Sequence, residues 1–505
     1  MSESNESPRL TNTEEAKPRR RRGPILAIAV ILTAIITFGI TALAMNILNR
    51  QIEAEVPYAR VVDVDETTLD PSVWGKNFPV QYEQFLRTAE MGPTAGHGGS
   101  VPVEQEPTDT DPRTIVSSSR LEEDPRLVTM WDGYAFSVDY RHARGHEFML
   151  EDQTFTQRVT NERFNQPGTC MNCHASLPTV FSELGDGDRE AGWNAMNAMS
   201  YEEAREHVTN PISCIDCHDP ETMALRITRP AFVEGIADYM ATQGIEDYDV
   251  NTDATAQEMR SFVCAQCHVE YYFDGDANNR LTFPWANGML MEEILGYYLI
   301  DGHIDFTHPQ AGTPIIKAQH PEFEIWMQGT HAQAGVTCAD CHMPYQREGS
   351  HKVTNHHVQS PLLMINESCG TCHSASEEEL ESRVLTIQDR FMHSRDVAMD
   401  ALVQFIAALE TARTDGTPAD QLELAQSYHQ AAQFYIDYVY SENGFGFHAD
   451  QYEMRILNDA QNFILQGQLA LQGQDVGTVG EFLIAQGVNL EGPSADVEAA
   501  AAGEG

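Results

Sequence analysis

The sequence predicts a mainly α fold with long C-terminal helices, and three observations carry that prediction. Five stretches share one pattern: CMNCH (170–174), CIDCH (214–218), CAQCH (264–268), CADCH (338–342) and CGTCH (369–373). After the last of them Val384, Leu385, Ile387, Phe391, Met392, Val397, Met399, Leu402, Val403, Ile406 and Leu409 recur near helical spacing. Between the motifs lie short helical and irregular stretches with no fixed repeat period, which excludes a solenoid of identical modules.

C-x-x-C-H is the pattern of c-type haem attachment: two thiols add to the haem vinyl groups and the adjacent imidazole binds the iron. A zinc site or a disulfide framework needs no His directly after every second Cys. With 19 His in 505 residues, five such placements in succession would arise by chance about once in ten million. All ten cysteines are consumed: Cys170, Cys173, Cys214, Cys217, Cys264, Cys267, Cys338, Cys341, Cys369 and Cys372. None is left for a disulfide or a thiol nucleophile. The fold class is therefore a multihaem cytochrome c core, with proximal ligands His174, His218, His268, His342 and His373.

Along the chain, residues 1–22 form a basic tail ending in Arg19 to Arg22, expected to stay in the cytoplasm. Segment 23–46, with the uncharged run 24–45, has the ~20 residues a bilayer-crossing helix needs. It reads as a retained anchor or a cleaved signal; its apolar run exceeds the usual signal core of ~7–15 residues, which favours the anchor. Everything after it is then exported. Residues 47–73 read as a polar tether, 74–375 as the pentahaem catalytic domain and 376–475 as a long-helix segment. That segment is expected to hold a helix over 376–413, a second from Thr417-Pro418 to about 441 with Gly444 as its stop, and a third over 450–472. Their apolar surplus fits either a cover for the haem core or a subunit interface. Residues 476–505 read as an acidic flexible tail.

A net charge of −45 argues against nucleic acid as a partner. It fits a solvated acidic surface, a saline habitat or a docking face for a basic partner. An anionic substrate would need a local positive funnel.

Four further blocks carry a resemblance: CAQCHVEYYFDG (264–275), FPWANGM (283–289), KAQHPEFEIW (317–326) with His331, and WDGYAFSVDYRHARGH (131–146). In order, from about 74 to 457, the chain resembles the ammonia-forming pentahaem cytochrome c nitrite reductases. The resemblance implies that the haem of the first motif reacts and that the other four are bis-histidine electron carriers. It puts distal ligands at His356 for the second haem, His146 for the third, His448 for the fourth and His331 for the fifth. It implies a distal pocket of Arg158, Tyr271 and His320. Chemically, Arg158 would hold an oxyanion, His320 would donate a proton and Tyr271 would position intermediates by hydrogen bonding. It also implies one calcium ion on Glu270, Gln319 and the backbone carbonyls of Tyr271 and Lys317, an all-oxygen set suited to a hard cation. The Lys317 ammonium is expected to add positive field beside the iron. One departure is that most such proteins use Lys as proximal ligand of the reactive haem, where this chain has His174.

The implied activity is six-electron reduction of nitrite to ammonium, with hydroxylamine, nitric oxide and sulfite as side substrates. A homodimer is implied, fed by a quinol-oxidising membrane multihaem cytochrome or a soluble one. The alternative is a pentahaem electron conduit with no substrate, in which a spare imidazole such as His142 or His351 caps the first haem.

Overall fold

The computed structural model describes residues 22–54, 60–94, 96–349 and 351–491. It contains two compact units, Met1–Ala59 with Gly349–Lys352, and Arg60–Glu348 with Val353–Gly505. In the first unit Arg22–Ala54 is one helix, in which Leu26–Leu48 has a mean hydropathy of 2.5 and no buried share. Pro24 falls in its first turn, where a missing N–H costs nothing. The span is long and apolar enough to cross a bilayer. Arg19 to Arg21 lie outside the described residues.

The second unit is dominated by helices, and its strands are confined to two-stranded ribbons such as Tyr272–Asp274 paired antiparallel with Arg280–Thr282. Its core is one large cluster that includes an aromatic box of Phe232, Phe262, Phe283, Trp285 and Phe323, whose ring centroids lie 4.9–6.5 Å apart. A smaller cluster joins Val64, Trp74 and Ile215. This corrects the expected tether. The N-terminal helix runs on to Ala54, and from Arg60 the chain is bound to the unit: the Arg60 guanidinium donates to the Pro220 carbonyl at 2.9 Å, and Asn77 Oδ1 accepts from Val61 and Val62 amides. Val64, packed against Trp74, supplies the apolar anchor that a polar-looking stretch concealed.

Three long helices close the unit. Glu377–Asp415 opens with a Ser376/Glu379 capping box and three glutamates in its first turn, which suit the positive end of the helix dipole, and stops at Gly416 in the left-handed region. Ala419–Ser441 follows, capped by Pro418 rather than Thr417. It ends before Gly444, because Glu442 turns extended and its carboxylate accepts the Gly444 amide at 2.6 Å. Asp450–Leu471 is the third, and all three pack on one another. From Ala431 to Ser441 every residue of the second helix is buried, so it is the covered rod of the bundle, while Val397 and Leu465 on its neighbours stay exposed. The segment expected to open a flexible tail at residue 476 is ordered at least to Glu491. Val479–Ala485 is helical under a Thr478/Glu481 capping box and buries Val479 and Leu483. Residues 492–505 lie outside those described.

The end of the bundle meets the haem-binding motifs at Gly329, where an added Cβ would lie 1.9 Å from the His448 carbonyl oxygen. Backbone cannot yield as a flexible side chain can. Gly329→Ala is expected to destabilise the protein by about 1–3 kcal/mol in thermal unfolding, with a disturbed low-spin haem signal, because His448 and nearby His331 move with that backbone.

Candidate active site

The first, second, fourth and fifth motifs are each a single helical turn, and the third closes the helix Ala256–Ala265. The amide of the His donates back to the first Cys carbonyl, as in His218 to Cys214 at 2.9 Å, His268 to Cys264 at 3.1 Å and His373 to Cys369 at 2.9 Å. Capping boxes Ser213/Asp216 and Thr337/Asp340 start two of these turns. A turn of this kind puts Cys i, Cys i+3 and the following His on one side, as a covalently held haem requires. All ten cysteines are unpaired.

The histidines provide the test of fit. His218 faces His356 with ring centroids 6.3 Å apart, His268 faces His146 at 6.4 Å, His342 faces His448 at 6.3 Å, and His373 faces His331 at 6.3 Å. An imidazole nitrogen binds a transition metal at about 2.0 Å and lies about 1.1 Å from its ring centroid, so two rings on opposite sides of one metal stand about 6.2–6.4 Å apart. The interplanar angles vary from 33° to 89° while the separation does not. A shared axis with free rotation gives that pattern; ring stacking does not. The tautomers agree: Nδ1–H of His218 donates to Met223 O at 3.0 Å, that of His342 to Gln359 O at 3.0 Å and that of His356 to Thr354 O at 2.8 Å, which leaves each Nε2 lone pair for iron. Burial pushes His146, His342 and His356 down to about 4, so they stay neutral ligands.

His174 has the same support, donating from Nδ1 to Met149 O at 2.9 Å, and burial pushes it down to about 4. No described histidine ring pairs with it. His142 instead meets Glu123 Oε2 at 2.7 Å, and the His351 side chain lies outside those described.

Arg158, Tyr271 and His320 converge on this motif. The Arg158 guanidinium lies 4.3 Å from the Phe136 ring centroid and its Nε donates to Thr156 Oγ1 at 3.3 Å, while Thr156 is fixed by Asp139 at 2.9 Å. Arg158 and His320 are both within electrostatic reach of His174. Tyr271 borders Cys170 and Cys173, stacks on Phe273 at 5.6 Å, and is held well above the usual phenol range by burial. His320 is 45% exposed above Glu322, whose carboxyl, despite its burial, is held at about 2 by His320 and His268.

Beside the pocket, buried Glu270 accepts the Gln319 amide at 2.6 Å and the Tyr298 hydroxyl at 3.0 Å, and the Gln319 side-chain amide lies 2.9 Å from the Lys317 carbonyl. A half turn of that amide brings an oxygen to the same place, so a carboxylate, an amide oxygen and a carbonyl gather with Tyr271 next in the chain. Burial pushes Glu270 well up and neighbouring Glu324 up to about 8. A hard cation relieves such a cost, so the donor set fits calcium. The buried Lys317 ammonium lies 5.3 Å from the centroid of Phe136, the ring that also carries Arg158, and 4.7 Å from that of Trp131; it donates to Ser441 Oγ at 3.1 Å and stands 3.9 Å from Asp437.

The motifs also touch one another. Cys173 lies beside Cys267 and Cys264 beside Cys338, while Cys217 neighbours Cys267 and Cys341 neighbours Cys369. The first, third, fourth and fifth motifs thus form a row, with the second beside the third. Buried Arg229 clasps three of them: it donates to Asn172 O at 2.6 Å and Ala175 O at 2.9 Å, pairs with Asp216 at 2.9 Å, and its amide reaches Gln266 Oε1 at 3.1 Å. Sequence reasoning missed Arg229, Gln153 (beside Cys170) and Glu442 (bonded to His448). Only their proximity in space marks them. His356→Ala is expected to turn one low-spin haem high-spin in electron paramagnetic resonance and to leave the remaining bis-histidine signals unchanged.

The sequence profile of the Cytochrome c552 family matches residues 70–486. Cytochrome c-552 of Bacteroides thetaiotaomicron is 39% identical over 401 residues, covering 78% of this chain and 75% of its own. The cytochrome c nitrite reductase subunit NrfA of Nitratidesulfovibrio vulgaris is 34% identical over 431 residues, covering 80% and 79%. The solved cytochrome c nitrite reductase of Desulfovibrio desulfuricans, whose catalytic subunit has two calcium sites, superposes with a TM-score of 0.71 at 27% identity, covering 84% of this chain and 90% of that one. With its match spanning all five motifs and the histidines that face them, the chain belongs to the cytochrome c552 family.

Proposed function

We propose that this chain reduces nitrite to ammonium at the haem of its first motif: nitrite, six electrons and eight protons give ammonium and two waters. One observation carries the reading. Four motif imidazoles each face a second imidazole at 6.3–6.4 Å, whereas His174 faces none among the described residues and has Arg158 and His320 within reach instead. A conduit would need a cap there, and His142 is committed to Glu123.

When bound, the first haem supplies an open coordination position and delivers electrons to nitrogen. The residues do the rest. Arg158, held by Phe136 and Thr156, offers a permanent positive charge to the oxyanion in a chain that is otherwise strongly acidic. His320, half-exposed and beside ionised Glu322, is placed to pass protons from solvent to departing oxygen. Tyr271 stays a neutral hydroxyl because burial opposes its ionisation, so it orients bound species by hydrogen bonding. Met149 O orients His174, an imidazole in the place of the more usual lysine. Calcium held by Glu270, Gln319 and the Lys317 and Tyr271 carbonyls would add positive field to that of the Lys317 ammonium.

Residues 74–375 are the catalytic domain, and 376–475 both cover it and offer a face to a second copy. The N-terminal helix anchors it outside the cytoplasmic membrane, with residues 1–22 inside, and a multihaem cytochrome supplies electrons.

With reduced viologen as donor, the holoprotein is expected to consume six one-electron equivalents per nitrite and to release matching ammonium. Loss of nitrite without ammonium, or no turnover with reduced haems, overturns the reading. Arg158→Gln is expected to lower kcat/KM about 10²–10³-fold and His320→Asn about 10²–10⁴-fold. Removing calcium with a chelator is expected to lower activity, with recovery on its return.

A further inference from the structure

The described haem-facing histidines differ in what their Nδ1–H group meets. His174, His218, His342 and His356 all donate to peptide carbonyls, those of Met149, Met223, Gln359 and Thr354. His448 donates to the carboxylate of Glu442. Glu442 is 1% exposed and stands at the C-terminal end of the most deeply covered helix, where the chain turns extended. Its Oε1 also accepts the Gly444 amide at 2.6 Å, which fixes the carboxylate against the imidazole, while its Oε2 is buried with no hydrogen-bond partner. Glu453, fully buried nearby, is pushed well above the usual carboxyl range by burial and by Glu442. Glu442 thus presents one oxygen to the His448 ring from a fixed position.

A carboxylate acceptor draws the Nδ1 proton further than a carbonyl does and moves electron density onto Nε2. An axial ligand with more donor strength, and a buried negative charge behind it, stabilise ferric over ferrous iron. We propose that Glu442 is a positioning residue that gives His448 histidinate character and so lowers the reduction potential of the fourth haem, the one held by Cys338, Cys341 and His342. That haem lies between the third and fifth in the row, so electrons pass through it and come to rest on its neighbours. The inference needs the pairing of His342 with His448 and is independent of nitrite as the substrate.

The test is a potentiometric titration of the five-haem holoprotein, followed by visible and electron paramagnetic resonance spectra. Glu442→Gln keeps the shape and an acceptor oxygen but removes the charge; Glu442→Asp keeps the charge. Expected is a positive shift of one low-spin midpoint in Glu442→Gln by about tenfold in its one-electron equilibrium, about 59 mV, with the other haems unmoved and Glu442→Asp nearer to wild type. Unchanged midpoints in Glu442→Gln, or equal shifts in both variants, would overturn it. Should Glu442→Gln fail to hold five haems, the wild-type ferric near-infrared spectrum decides. One bis-histidine haem with its charge-transfer band at higher energy than the rest supports the proposal, and a common energy for all sinks it. A viologen assay with no ammonium, alongside a shifted midpoint, would remove only the nitrite reading.

Discussion

The distance between opposing imidazoles governs this structure. A metal held by two nitrogens admits almost no variation along its axis, and four pairs of histidines, drawn from segments far apart in the chain, stand within 0.1 Å of one value. The backbone has to deliver those rings, and much of what is otherwise odd about the fold follows from that duty. Helices are short and frequently broken between residues 120 and 375, because each must end where a ring or a thiol is needed. Rigidity comes from elsewhere, chiefly the three long helices and the aromatic box under the third motif.

The same constraint explains why the first motif reads as the reactive one. Its proximal imidazole is oriented by a carbonyl, as the others are, and nothing in its own five residues sets it apart. What differs is the opposite side, where a guanidinium packed on a phenylalanine, a buried phenol and a half-exposed imidazole replace a second ligand. Selectivity of role among five chemically alike centres is thus decided by residues remote from the attachment sequence.

How much of this the sequence disclosed depends on whether a signal is local. The C-x-x-C-H turns and the long amphipathic helices are local patterns, and they are found where expected, with helix ends displaced by a residue or two at Pro418 and Asp415. The pairing of His356 with His218 spans 138 residues in a chain with fourteen non-motif histidines. No spacing rule reveals it, and only the family resemblance did. Residues 60–73 look like linker because their one buried apolar anchor, Val64, which packs on Trp74, sits among acidic and hydroxyl side chains. For Lys317 the sequence reports a charge, and only geometry reports that Asp437 faces it. Glu442 is one carboxylate among 76 acidic residues, distinguished by standing at a helix end against a ring.

Arg229 bears on how the molecule matures. The clasp of this guanidinium on Asn172, Ala175 and Asp216, with its own amide on Gln266, closes only when the first three motifs have reached their places. A chain lacking its second haem therefore leaves a buried cation without its carboxylate geometry beside the reactive centre. Incomplete loading is then a folding defect, which quality control can remove before an enzyme without its full electron supply meets substrate.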